Sequence, residues 1–182
     1  MKTFGIVGRK NSGKTHLVVR LVGELRRRGL TVSTVKHTHH HDIELDVPGK
    51  DSWRHREAGA HEVIVASDRR WSLVHAGAAD APPVALDALL ARLSPCDLVL
   101  VEGYKGFTRH PRIEVHRAAA AGVADGVAVP AAAPEPLAVH DAGIVALACP
   151  AGQAPASWPP TAARLDLDDT GAIADYILSY RA

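Results

Sequence analysis

The sequence predicts a three-layer α/β/α domain built on a mostly parallel sheet. Segments with strand-like and helix-like patterns alternate along the chain, which is typical of a parallel sheet covered by helices. Residues 98–101 are continuously apolar, as in a strand that is buried on both faces. With 182 residues, the chain has the length of one compact domain. We therefore expect residues 1–182 to form a single domain, in which 118–160 is the least diagnostic part and the composition of 118–136 predicts no single structure.

Each element is predicted from local patterns. Short β-prone runs indicate strands, whereas apolar residues at helical spacing indicate helices, which Asp or Pro can open and Gly can end. In chain order, the predicted elements are strands at 4–7 and 30–35 flanking a helix at 14–28, a short helix from an Asp51 cap to about Gly59, a β-hairpin of runs 61–67 and 71–75, a helix from Pro82 to about Leu93, strands at 97–101, 112–116 and 144–148, and a final helix capped by Asp169 with Ile173, Ile177 and Leu178 facing inward.

The overall composition excludes several function classes. Twenty-one basic and 20 acidic residues give a net charge of +1, so the balance favours neither nucleic acid nor an anionic membrane as a partner. No apolar run approaches the roughly 20 residues of a membrane-spanning helix. The first residues lead directly into a strand pattern and not into a signal peptide. We expect a cytoplasmic protein.

A glycine-rich motif joins the first strand to the first helix. The sequence GRKNSGKT fits the phosphate-binding pattern G-x-x-x-x-G-K-[ST], and its members are Gly8, Arg9, Lys10, Asn11, Ser12, Gly13, Lys14 and Thr15. The glycines allow backbone N–H groups to surround phosphate oxygens, and the helix start adds positive potential. Lys14 is expected to reach the β- and γ-phosphates, and Thr15 offers a hydroxyl to Mg²⁺. The fold class is therefore predicted to be that of the P-loop NTPases.

An acidic residue follows the apolar strand. Glu102 comes directly after Val101, and ligands of open α/β sheets gather at the carboxyl ends of the strands. We expect Glu102 to hold Mg²⁺ through water or to orient the attacking water. Lys14 and Glu102 are thus the two predicted catalytic residues.

The polar segment after the second strand, residues 36–52, has three open interpretations. It can be a solvated or partner-facing loop, a segment that senses the γ-phosphate, or a transition-metal site formed by its histidines. In the second interpretation Lys36 contacts the phosphates, and Asp42 and Asp46 reach the metal.

These segments resemble the MobB family, the molybdopterin-guanine dinucleotide biosynthesis adapter proteins. The resemblance covers about the first 117 residues. The motifs that carry it, in the order of the family, are GRKNSGKT at 8–15, VKHTHHH at 35–41, DVPGKDS at 46–52, REAGA at 56–60, VIVAS followed by RW within 63–71, and LVLVEGYK at 98–105.

The resemblance implies a GTP-binding protein, usually a homodimer, that assists the guanylyltransferase attaching GMP to molybdopterin. It implies at most a slow Mg²⁺-dependent GTPase. It places the phosphates on 8–15 and the magnesium ion on Thr15 and Glu102. Lys36 and His37, with the rest of 36–40 and 46–52, would form a nucleotide-responsive or partner-binding surface.

Guanine recognition is implied by the resemblance alone, because the chain has no NKxD motif. Residues 148–150, after a late strand, are the expected loop on the side of the base. Three other functions stay open. A metal-delivery GTPase is suggested by the histidine-rich segment, and a small P-loop kinase by the phosphate-binding motif, although no acceptor-activating Asp or basic lid is evident. The third is a non-enzymatic scaffold for which the nucleotide is only a conformational ligand.

Overall fold

A computed structural model describes residues 1–38, 46–75, 77, 81–104, 109–117, 122–124, 127–129 and 134–181. The chain divides into two compact units. The first unit comprises residues 1–37 and 86–182, and the second comprises residues 38–85. Most of the histidine-rich segment, residues 39–45, lies outside the described residues, so the three interpretations of that segment stay open.

The secondary structure confirms the alternation of strands and helices. In chain order the elements are β1 (Lys2–Val7), α1 (Lys14–Arg27), β2 (Val32–Lys36), α2 (Asp51–Glu57), β3 (Glu62–Ala66), β4 (Trp71–His75), α3 (Leu86–Leu90), β5 (Leu98–Glu102), β6 (Arg112–Val115), β7 (Gly122–Ala124), β8 (Val127–Val129), a 3₁₀ helix (Leu137–Val139), β9 (Ile144–Cys149), β10 (Ala163–Asp166) and α4 (Thr170–Ser179).

A parallel sheet organises the first unit. Within the described residues it has six strands in the order β10-β9-β6-β1-β5-β2, and each neighbouring pair is parallel. All carboxyl ends therefore lie at one edge of the sheet. β1 lies near the middle, between β6 and β5, so the segment that leaves β1 emerges at the centre of that edge.

Helices cover both faces of this sheet, which confirms the three-layer arrangement. On one face α1 and α4 bury a common core with the sheet, including Phe4, Leu21, Leu100, Ile113 and Ile177. On the other face, α3 packs on Val99 and Val101, and the 3₁₀ helix packs beside Leu147. Every residue of β5 is buried, as its continuous apolar sequence predicts.

The second unit contains the predicted hairpin. β3 and β4 pair antiparallel, with Glu62 opposite His75 and Ala66 opposite Trp71. α2 precedes the hairpin, but the expectation that Asp51 caps this helix is wrong. Lys50 occupies the N-cap position, and Asp51 is the first helical residue. In this position the negative charge of Asp51 still interacts favourably with the positive end of the helix dipole.

Two further expectations differ from the structure. α3 is shorter than predicted, since it begins at Leu86 and ends at Leu90. A proline disfavours helical backbone in the residue before it, so Pro83 disfavours a helix that starts at Pro82. In α4 the N-cap Asp169 is confirmed, and Ile173 and Ile177 are fully buried, but Leu178 is 38% exposed. Leu178 follows Ile177 by about 100° around the helix, which moves it off the buried face.

Three strands, β7, β8 and β10, and the 3₁₀ helix were not predicted. None of the helices in the described residues has the length and hydropathy needed to cross a bilayer.

Candidate functional site

The glycine-rich motif forms a tight loop between β1 and α1. Gly8 has φ +146° and Gly13 has φ +98°, both values that side chains rarely permit, and Asn11 adopts the left-handed region at φ 60°. A Cβ atom on Gly8 would lie 2.5 Å from the main-chain oxygen of Val115. The loop therefore needs glycine at its first position for space as well as for backbone conformation.

The start of α1 is suited to an anion. Gly13 is its N-cap residue and offers no side-chain cap, and no acidic side chain lies in its first turn. The backbone N–H groups of a helix start, together with the helix dipole, attract phosphate. Lys14 is the first helical residue, and its Nζ donates to the main-chain oxygen of Arg9 over 2.6 Å. The ammonium group thus lies across the loop that would surround the phosphates.

Thr15, Glu102 and Lys36 meet at the carboxyl ends of the parallel strands. Parallel pairing places Glu102 beside Ile6 of β1 on one side and beside Lys36 of β2 on the other. Thr15 Oγ1 donates to Glu102 Oε1 over 2.5 Å. Lys36 Nζ lies 3.3 Å from Thr15 Oγ1 and 3.6 Å from Glu102 Oε1. Because Glu102 is 7% exposed, the nearby ammonium compensates a carboxylate that has little contact with water.

This arrangement fits the magnesium ion that the motif implies. A hydroxyl and a carboxylate supply hard oxygen donors, and Mg²⁺ typically uses one or two protein oxygens beside phosphates and water. Thr15 is exposed, so a ligand has access to its hydroxyl. Asp46 belongs to the second unit, where its Oδ2 lies 3.7 Å from Arg56 Nη1. Its contribution to the metal site stays a prediction.

The other predicted residues have different environments. Ser12 is buried beside Gly8, and its Oγ has no hydrogen-bond partner among the described residues, which suits a phosphate contact. Arg9 Nη2 donates to the main-chain oxygen of Glu135 over 3.1 Å, while Lys10 is exposed. The ring of His37 lies 4.5 Å from that of Tyr104, measured between centroids, directly after β2.

Sequence reasoning missed Arg117. This residue follows β6, and its Nε donates to the main-chain oxygen of Ser12 over 3.1 Å. The guanidinium thereby supports the phosphate loop from the neighbouring strand. The only signal in the sequence is a basic residue two positions after Val115, and its meaning depends on β6 lying beside β1.

The family model described as molybdopterin guanine dinucleotide synthesis protein B matches residues 3–133. The chain belongs to the MobB family. The part of the chain that matches the MobB model includes the phosphate loop, Lys36, Glu102 and Arg117.

Curated relatives of the MobB family share this region. The molybdopterin-guanine dinucleotide biosynthesis adapter protein of Haemophilus influenzae is 45% identical over 117 residues, which are 63% of this chain and 62% of the relative. The adapter protein of Escherichia coli is 45% identical over 96 residues, 52% of this chain and 54% of the relative. The similarity thus spans less than two thirds of either relative.

Solved structures extend the similarity to nearly the whole chain. A crystal structure of molybdopterin-guanine biosynthesis protein B is 26% identical, covers 97% of this chain and 98% of its own, and has a TM-score of 0.65. A MobB homolog from Bacillus stearothermophilus is 27% identical, covers 98% and 96%, and has a TM-score of 0.64. MobB from Bacillus subtilis, at 21% identity and TM-score 0.69 over 98% of this chain and 97% of its own, shares the fold.

Proposed function

We propose that the protein is a GTP-binding adapter that assists the guanylyltransferase making molybdopterin guanine dinucleotide, and that it hydrolyses GTP slowly with Mg²⁺. Family membership supports the pathway, since two relatives are named adapter proteins of that biosynthesis. The observation that carries nucleotide binding is the contact of Thr15 with Glu102 beside the open start of α1. We further propose that the protein acts as a homodimer in the cytoplasm.

The protein's own groups account for phosphate binding. Backbone N–H groups of the loop and of the first turn of α1 donate to phosphate oxygens. On nucleotide binding, the ammonium of Lys14 exchanges the oxygen of Arg9 for phosphate, which gains an ionic partner in place of a neutral one. Lys36 is close enough to the Thr15 hydroxyl to add a second positive charge on the same side.

Magnesium, when bound, would neutralise charge on the phosphate oxygens and help to align the reacting groups. Thr15 and Glu102 would hold it, directly or through water. Glu102 is held in place by its hydrogen bond from Thr15 and by the ammonium of Lys36, so the carboxylate needs little reorganisation to orient an attacking water.

We attribute slow hydrolysis to the contacts that the arginines near the loop make. Arg9 and Arg117 both donate to main-chain oxygens, of Glu135 and Ser12 respectively. These contacts support the loop, whereas an arginine finger must reach the transferring phosphoryl group. Without such a finger, a GTPase turns over on the order of 10⁻⁴ per second.

Nucleotide choice is tested by titrating the protein with GTP and with ATP, each with Mg²⁺, by calorimetry. We expect GTP to bind at least about tenfold more tightly, a difference of about 1.4 kcal/mol. Equal affinities would overturn the guanine assignment, and no binding of either nucleotide would overturn the phosphate site as well.

The adapter role is tested by single-turnover GTP hydrolysis with and without molybdopterin guanylyltransferase, together with a pull-down in GTP and in GDP. An adapter acts because its GTP and GDP states have different affinities for a partner. The amount of guanylyltransferase captured should therefore depend on the nucleotide. Hydrolysis by the isolated protein faster than about 1 per second would indicate a complete catalytic site and would contradict the proposal.

A further inference from the structure

Three side chains that can bind a metal ion converge within the second unit. Within the described residues they are His61, Glu62 and His75, and one ligand atom from each lies within 4.8 Å of the others. All three belong to the unit of residues 38–85, whereas Thr15 and Glu102 belong to the first unit.

Hairpin geometry brings these groups together. Glu62 and His75 are directly opposite each other in the register of β3 and β4, and cross-strand neighbours are close enough for side-chain contact. His75 Nδ1 lies 3.0 Å from Glu62 Oε1. His61 precedes β3, and its ring packs edge-on against His75 with centroids 4.7 Å apart. His75 therefore contacts both of the other ligand candidates.

We propose that His61, Glu62 and His75 bind one divalent transition-metal ion, with Zn²⁺ as the best chemical match. Two imidazoles and one carboxylate form a ligand set that zinc commonly adopts, with a fourth position left for water. Zinc–nitrogen bonds of about 2.0–2.1 Å in a tetrahedral site require ligand atoms about 3.3 Å apart. All three residues are exposed, so their side chains can close the remaining distance without disturbing packing.

The ion would join the two strands at the open end of the hairpin. One ligand lies before β3, one at its first residue and one at the last residue of β4. An ion held by all three therefore resists separation of β3 from β4 where no turn connects them. Metal binding should accordingly stabilise the second unit, since a ligand bound to the native state raises the apparent stability.

The test must separate this site from the histidine-rich segment. The parent for the experiment is therefore the full chain with His39, His40 and His41 replaced by alanine, and Zn²⁺ binding is measured by calorimetry. The parent should bind about one zinc ion per chain, and His75→Ala should weaken binding at least about tenfold. His61→Ala and Glu62→Gln should each weaken it in the same direction.

A matched control is available in the first unit. His140 Nε2 lies 2.9 Å from Glu135 Oε2, an exposed pair with the same chemistry, but neither residue belongs to a three-ligand group among the described residues. His140→Ala should leave zinc affinity unchanged. Zinc should also raise the unfolding temperature of the parent and not that of His75→Ala. Failure of the parent to bind zinc, or unchanged affinity in His75→Ala, would overturn the proposal.

Discussion

Thr15 Oγ1 donates a hydrogen bond to Glu102 Oε1 over 2.5 Å, although 87 positions separate the two residues in the chain. The contact exists because β5 pairs with β1, which feeds directly into the loop before α1. It brings the hydroxyl of the phosphate-binding motif and a buried carboxylate into one cluster. The chemistry proposed for the protein depends on these two groups acting together.

Replacing Glu102 with Gln should separate nucleotide binding from hydrolysis. The change keeps the shape of the side chain but removes the charge that holds Mg²⁺ or orients water. We expect GTP affinity within about threefold of the original and single-turnover hydrolysis reduced at least about 100-fold. Glu57→Gln, at an exposed position of α2, is the control. Hydrolysis at the original rate in Glu102→Gln would make this residue structural.

Lys14→Ala should abolish nucleotide binding and leave the fold intact. The substitution removes a charge-assisted phosphate contact, and alanine is fully compatible with a helix start. Calorimetry with GTP measures the loss, which we expect to be at least about 100-fold, and circular dichroism checks the fold. A folded variant with unchanged GTP affinity would contradict the assignment of the phosphate loop.

Arg117→Ala should weaken nucleotide binding through the loop. Its guanidinium supports the oxygen of Ser12, and a charged hydrogen bond of this kind contributes about 1.5 kcal/mol, which corresponds to about tenfold in affinity. Arg109→Ala is the control, because this exposed arginine pairs with Asp87. If Arg117→Ala bound GTP like the original, Arg117 would have no positioning role.

Asp141→Ala should destabilise the first unit strongly. Arg112 is 1% exposed, and its Nη1 and Nη2 donate to the two carboxylate oxygens of Asp141 over 2.7 and 2.6 Å. Removing the carboxylate takes two charged hydrogen bonds from a buried guanidinium, at a cost of about 3–5 kcal/mol in the free energy of unfolding. Urea denaturation measures this loss.

The exposed pair of Arg109 and Asp87 supplies the control for that experiment. Their side chains are 78% and 54% exposed, so Asp87→Ala should cost less than about 1 kcal/mol. Similar losses in Asp87→Ala and Asp141→Ala would show that burial does not decide the contribution of these ion pairs.

Stability should fall in acid partly through Glu24. Hydrogen bonds from Arg27 and then Arg28 lower the pKa of this carboxyl from 4.5 to about 2. A lowered pKa means that the native state favours the ionised form, so the contribution is complete above 4.5 and disappears as pH falls toward 2. Glu24→Gln should show a smaller loss of stability across this window in urea titrations. An unchanged pH dependence would contradict the prediction.

Much of the site was predictable because its signals are local. The motif at 8–15 carries its own spacing, and Glu102 follows an apolar run that marks a buried strand. Arg117 was missed because a single basic residue after a strand has no meaning until the order of the strands is known. The cluster of His61, Glu62 and His75 was missed for a related reason. The hairpin was predicted, but its register, which sets Glu62 opposite His75, was not.

The sequence by itself determined the phosphate loop, the helix that follows it, the hairpin and the alternation that requires a three-layer fold. Each of these features depends on residues that are close together in the chain. The spacing of apolar residues and the backbone preferences of the residue types therefore predict them. Tertiary structure alone decided that β5 and β6 flank β1, and hence that Glu102 and Arg117 reach the loop. It also decided that β10 forms and that Arg112 is buried against Asp141. Those outcomes depend on contacts between segments that are far apart in the chain. Such contacts form only when the strands pair and the helices cover both faces of the sheet together.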